Sequence, residues 1–173
     1  MTPNDLPASC RQIVLSRIVS LCRQDAGSTF AKQIRRSARH VAVKRQLLIT
    51  AGPIEEAPLL AKRKMSDGMG AVVHFLGVVR REEEGRAILA IEYEAFQRMA
   101  EHQFNLLFDQ VERRWPVESV RLVHRIGSVK VNEPSLWVEV VAPHRGEAFA
   151  ACQWLIDEMK RTVPIWKRTA QIL

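Results

Sequence analysis

Between Met99 and Trp115 the apolar spacing changes from two toward 3.6, and that change restricts the fold more than any other feature. Phe104, Leu107, Phe108 and Val111 fall on one helical face, with Glu101, Asn105, Asp109 and Glu112 opposite. Pro116 stops the helix, because the residue before a proline is pushed out of helical geometry. A helix with one apolar face needs a sheet or another helix to cover it, and the flanking sequence supplies both.

GAVVHFLGVVR (70–80) is β-branched and mostly apolar, which predicts a central strand. REEEGR (81–86) is too polar to bury and predicts a connection to AILAIEYEAF (87–96), expected to pair with 70–80 as an antiparallel neighbour. RQLLITAGPIE (45–55) predicts an entering strand and a Gly-Pro turn, and EEAPLLAKRKMSDG (55–68) a short helix ending before Asp67-Gly68. SVRLVHRIG (119–127) predicts another strand, turning at Gly127. In SLWVEVVAP (135–143), Leu136, Val138 and Val140 point one way and Trp137, Glu139 and Val141 the other. A second helix, 146–161, places Ala148, Phe149, Cys152, Leu155, Ile156 and Met159 on a core-facing stripe, so Cys152 reads as a packed thiol rather than a nucleophile. Strands interrupted by two long helices predict an α+β domain with a mainly antiparallel sheet over residues 46–173.

The net charge of +7 resembles a nucleic-acid signal until it is divided along the chain. Residues 1–45 carry nine Lys/Arg against two acidic residues, whereas 46–173 carry seventeen of each. The basic surplus therefore belongs to a leader, which reads as an amphipathic surface helix, a transit segment, or a chain start assigned too far upstream. With little aromatic interleaving there, no nucleic-acid partner is expected. No run of about 18 apolar residues predicts a membrane span. Cys10, Cys22 and Cys152 lack metal-ligand spacing and suit a reducing compartment, so an intracellular, cytoplasmic protein is expected. Neither a Gly-rich phosphate loop nor a Gly-x-Ser-x-Gly elbow occurs, which removes the usual sequence support for ATP use and serine-hydrolase chemistry.

Four places set polar groups at the ends of apolar elements: Arg80-Arg81, His124-Arg125, His144-Arg145, and Lys160 with Lys167. His144 and Arg145 precede a helix whose first amides can bind an anion, and arginine adds a rigid donor fork. Lys160 in a last helical turn also complements the helix dipole. Pro164 is expected to bend the chain after that helix, fold Ile165-Trp166 onto the core and turn Lys167 back toward Lys160.

HFLGVVR (74–80), IEYEAF (91–96), HRIGSVKVNE (124–133), VVAPHRGEAFAAC (140–152) and DEMKRTVPIWKR (157–168), in that order, resemble the catalytic, large-subunit family of molybdopterin synthase. The resemblance covers about residues 46–173 and implies an α/β hammerhead fold. It implies sulfur transfer to cyclic pyranopterin monophosphate, forming the dithiolene of molybdopterin. The implied sulfur donor is a small ubiquitin-like subunit ending in a Gly-Gly thiocarboxylate, and the implied assembly is a central homodimer within a heterotetramer. Arg80, His144 and Arg145 match the family's substrate-binding positions, and Lys160 and Lys167 its catalytic lysines. Lys160 would assist attack and collapse at the thiocarboxylate carbonyl, and Lys167 would orient the donor terminus and stabilise negative charge. Phe75 and Gly77 match the motif around Arg80, where packing accounts for them. The donor's sulfur performs the chemistry, so no cofactor, metal or catalytic cysteine is expected. Many relatives continue Trp-Lys-x-Glu with a longer tail, whereas Thr169 and AQIL follow here. The alternative expectation is a noncatalytic scaffold of the same fold that retains the partner groove.

Overall fold

A tight turn at Glu84-Gly85 decides where the first half of the chain goes. Both residues have positive φ, 51° and 75°, the pair of values that closes a two-residue hairpin. That turn folds strand β3 (Glu82–Glu83) back on β4 (Arg86–Ala95), and not the preceding strand β2 (Ala71–Val78). The computed structural model describes residues 43–172, with side chains through 168, so the leader readings fall outside the described residues.

The described residues form two four-stranded sheets. The first has the order β1 (Lys44–Thr50), β5 (Ser119–Arg125), β7 (Pro134–Ala142), β2, with β1 and β5 parallel and the other pairs antiparallel. In the second, β4 pairs antiparallel with β3, with β6 (Gly127–Lys130) and with β8 (Ile165–Ile172). The α+β class and antiparallel bias follow the sequence expectation. Two details do not. β2 and β4 are in different sheets and do not pair, and among the described residues β2 is an edge strand, bonded to β7 alone. The polar EEEG stretch reverses the chain too sharply to carry it back along β2, and β7, buried on both faces, takes the pairing instead.

Helix α1 (Glu56–Ala61) is shorter than the sequence suggested. Helix α2 (Gln97–Arg114) buries Ala100, Phe104, Leu107, Phe108 and Val111, the expected face, and ends at Trp115, held extended by Pro116. Helix α3 (Arg145–Thr162) buries Ala148, Ala151, Cys152, Leu155, Ile156 and Met159. These two helices cover Val120, Leu122, Leu136, Val138 and Val140 on one face of the first sheet. Each Phe or Leu so enclosed contributes about 1.5–3 kcal/mol. Phe149 departs from the expected stripe and is exposed, because the buried set repeats at three and four residues and Phe149 lies one step off it. Burial pushes the Cys152 thiol up to about 11, as fits a packed side chain.

A smaller core, Val79, Ile88, Ile91 and Val129, belongs to the second sheet. The chain reaches it through a register shift at Gly77/Val78, after which Val79 bonds to the backbone of Glu133 and Asn132. A β-carbon at Gly77 would meet Leu136 Cβ at 3.2 Å and Phe75 at 3.3 Å, so close packing accounts for that glycine. The opposite face of the first sheet carries a fully buried carboxylate, Glu139. It is bonded to Arg63 Nε at 2.8 Å, Arg121 Nη1 at 2.9 Å and His74 Nε2 at 2.6 Å.

Candidate active site

The end of α3 and the start of β8 form one wall of a cavity of about 720 Å³. Val163, extended at φ −83° and ψ 126°, closes the helix with its amide on Met159 O. Pro164 follows, and its carbonyl accepts from Phe96 N at 3.3 Å, which ties the bend to the start of α2. Ile165 packs on the main core as expected, but Trp166 stays 56 % exposed and does not fold inward. Alternation along β8 then returns Lys167 to the side that carries Ile165. Lys160 and Lys167 both line the cavity.

The opposite wall comes from β2 and its continuation, Phe75 to Arg80, with Ser135 and Leu136 of β7 behind. Ile91 and Tyr93 of β4 complete it. Ser135 Oγ donates to Gly77 O at 3.2 Å and accepts from Tyr93 Oη at 3.4 Å, so the wall's hydroxyls are mutually fixed. His124 enters from β5, buried and set edge-on to Tyr93 at 5.4 Å between ring centroids. Burial holds its imidazole below the usual histidine range, against a smaller opposing effect of its bond to Arg125 O, so the ring is neutral at pH 7. Nδ1 donates to Arg125 O at 2.8 Å, which leaves Nε2 as an acceptor.

Three cations therefore face one space: Arg80, Lys160 and Lys167. Glu83, from the β3–β4 hairpin, pairs with Lys167 and lies 3.6 Å from Arg80 Nη2. The hydrogen bond from Lys167, followed by the charges of Lys167 and Arg80, outweighs burial and holds the Glu83 carboxyl below the usual carboxylate range. Lys160 has no such partner among the described residues, which leaves its ammonium available to a ligand. Glu83 was not among the sequence-derived candidates. Its signal was the triple glutamate directly after Arg80-Arg81, which reads equally well as a solvated loop.

His144 and Arg145 are not brought to this cavity. They are exposed at the start of α3, with Arg145 fifteen residues from Lys160, a rise of about 22 Å along the helix, and His144 one residue further. His144 is the N-cap residue but makes no side-chain cap bond. Arg125 turns to Glu133 Oε2 at 2.8 Å and Ser128 O, away from the cavity lining.

Residues 49–162 match the family model described as MoaE protein. The chain belongs to the MoaE family. Over 115 residues it is 42 % identical to the molybdopterin synthase catalytic subunit of Pyrococcus abyssi, a stretch covering 66 % of this chain and 76 % of that one. Molybdopterin synthase from Staphylococcus aureus superposes with a TM-score of 0.64 at 32 % identity, covering 72 % of this chain and 89 % of that chain. Subunits 1 and 2 of molybdopterin-converting factor from Helicobacter pylori have been solved as a complex, and a chain of it shares the fold. Its TM-score is 0.55 at 21 % identity, covering 71 % of this chain and 82 % of that one. The MoaE match includes Arg80, His144, Arg145 and Lys160, and Lys167 lies just beyond its end.

Proposed function

We propose that this MoaE-family chain is the catalytic subunit of a molybdopterin synthase, and that Arg80, Lys160 and Lys167 around one cavity carry the reaction. The convergence of these three cations on a space of about 720 Å³ is the observation that supports it most. That volume falls in the range of small-molecule sites, and its walls combine apolar surface with a few placed polar groups.

In this reading a small ubiquitin-like partner inserts a C-terminal Gly-Gly thiocarboxylate, and cyclic pyranopterin monophosphate occupies the cavity. Sulfur attacks a carbon of the precursor, and the new C–S bond forms as a C–O bond at that carbon breaks, its oxygen leaving as water or as a freed phosphate oxygen. Water, or the Lys160 amine followed by water, then attacks the donor's acyl carbon. The acyl–S bond breaks, and the donor leaves as a carboxylate. Negative charge grows on the acyl oxygen during that attack, and the Lys160 and Lys167 side chains stabilise it. Two such transfers give the dithiolene. No step requires a metal or a cysteine.

The distance from His144 and Arg145 to Lys160 favours a homodimer in which these two residues of one copy anchor the substrate phosphate in the cavity of the other. The reading puts this dimer in the cytoplasm, at the centre of a heterotetramer with the small subunit. Mixing purified protein with thiocarboxylated small subunit and precursor is expected to yield dithiolene product. Binding without product would reject the enzyme in favour of a noncatalytic scaffold. Lys160→Ala and Arg145→Ala proteins, each inactive alone, are expected to recover about a quarter of wild-type activity after subunit exchange, because mixed dimers hold one intact site of two. Failure to recover would reject the shared site.

A further inference from the structure

We propose that Glu83 is an internal counter-ion: its carboxylate occupies the anion subsite between Arg80 and Lys167 and positions Lys167 until an anionic ligand displaces it. The inference deepens the sulfur-transfer reading and depends on it for the identity of the natural ligand.

The carboxylate is the anchored member of this group. Its side chain is 13 % exposed, against 79 % for Arg80 and 54 % for Lys167. The Glu84-Gly85 turn and the pairing of Glu83 with Arg86 fix its backbone, and β8 carries Lys167 alongside through the pairing of Lys167 with Tyr93. Oε1 engages Lys167, and Oε2 faces Arg80. A phosphate or carboxylate ligand would use the same donors, and two anions crowded onto them repel each other. Entry of such a ligand therefore removes Glu83 from Lys167. The displaced side chain has somewhere to go: Glu83, Ile91 and Lys167 also line a second cavity of about 310 Å³ with Glu84 and Arg168. A ligand bearing two negative charges competes for the cations better than one bearing a single charge, so the counter-ion also selects for phosphate-type groups.

The test is calorimetric titration of the full chain with inorganic pyrophosphate. Glu83→Gln keeps the shape and removes the charge, and is expected to bind about five- to tenfold tighter than wild type, a modest gain because both cations are partly solvated. Glu83→Asp keeps the charge and is expected to stay closer to wild type. In the Glu83→Gln/Lys167→Ala double variant the gain is expected to vanish. Unchanged or weaker binding by a Glu83→Gln protein with an unaltered thermal midpoint would overturn the proposal, as would a gain that persists without Lys167. In the sulfur-transfer assay Glu83→Gln is expected to lower both KM for the precursor and kcat, since a freed Lys167 binds anions better but is less well placed. Rescue of kcat by Glu83→Asp supports positioning. Tighter pyrophosphate binding without any wild-type turnover would keep the counter-ion and reject the sulfur-transfer reading. Turnover without tighter binding would do the reverse.

Discussion

Lys160→Ala is expected to lower kcat by about 10²–10³-fold, the scale of losing one donor to a developing oxyanion, while changing folding stability by less than about 1 kcal/mol. The two halves of that expectation have separate causes. Lys160 is exposed on the last turn of α3 and has no ion-pair or hydrogen-bond partner among the described residues, so its removal strands no buried group. What the fold loses is a favourable charge near a helix C-terminus, a small effect. What the cavity loses is its unpaired cation, since Arg80 and Lys167 share Glu83. Single-turnover assays at saturating donor and precursor, beside chemical unfolding, measure both quantities. Lys160→Arg separates two roles: a guanidinium stabilises an oxyanion but cannot form an acyl amide, so partial activity would favour electrostatics and none would favour acyl capture. Wild-type turnover in Lys160→Ala would end the catalytic assignment.

Much of the frame was legible because it is local. The 3.6 spacing of Phe104, Leu107, Phe108 and Val111 and the alternation of Leu136, Val138 and Val140 each follow from which face an element must bury. The Pro164 bend was legible for a similar reason, since a proline acts on the residue directly before it. It brought Lys160 and Lys167 to one cavity, although Trp166 was placed on the wrong side. Strand partners were not legible. Whether Ala71–Val78 pairs with its neighbour in sequence or with Pro134–Ala142 depends on contacts some sixty residues apart, and the hairpin at Glu84-Gly85 settled it. The separation of Arg145 from Lys160 was available from helical rise alone. Matching motif positions leave open whether one copy or two supply them, and the helix holds them apart within one copy. Glu83 is not legible from sequence, because an acidic hairpin beside two arginines reads the same whether it is solvated or folded against a site.

Glu139→Ala is expected to destabilise the fold by about 3–5 kcal/mol at pH 7, the cost of breaking a buried ion network from one side. Glu139 has no exposed surface, and its neighbours in β7 alternate toward the helices, so the carboxylate faces the other side of the sheet with Trp137. There it joins three elements: Arg121 of β5 through Oε1, and through Oε2 both Arg63, just after α1, and His74 of β2. Arg121 lies with its guanidinium 5.0 Å from the Trp137 ring centroid and also bonds to Gln46 and to Leu59 O, so it cannot leave when the acid is removed. It would remain buried with its charge uncompensated. Glu139→Gln keeps the shape and loses the charge, and should cost less. Burial alone would raise the Glu139 carboxyl, but the hydrogen bonds from Arg63 and His74 and the charges of Arg121 and Arg63 together hold it below its ordinary value of 4.5. A depressed folded-state value means that the unfolded chain takes up the proton first. The stabilisation is therefore full above about pH 4.5 and is lost as pH falls through the lower folded value. Urea unfolding followed by far-ultraviolet circular dichroism should give a constant gap between wild type and Glu139→Gln from pH 5 to 7, narrowing below about pH 4.5. A gap that holds its size in acid would mean that the charge of Glu139 contributes nothing to the network, and that its shape alone fills the sheet.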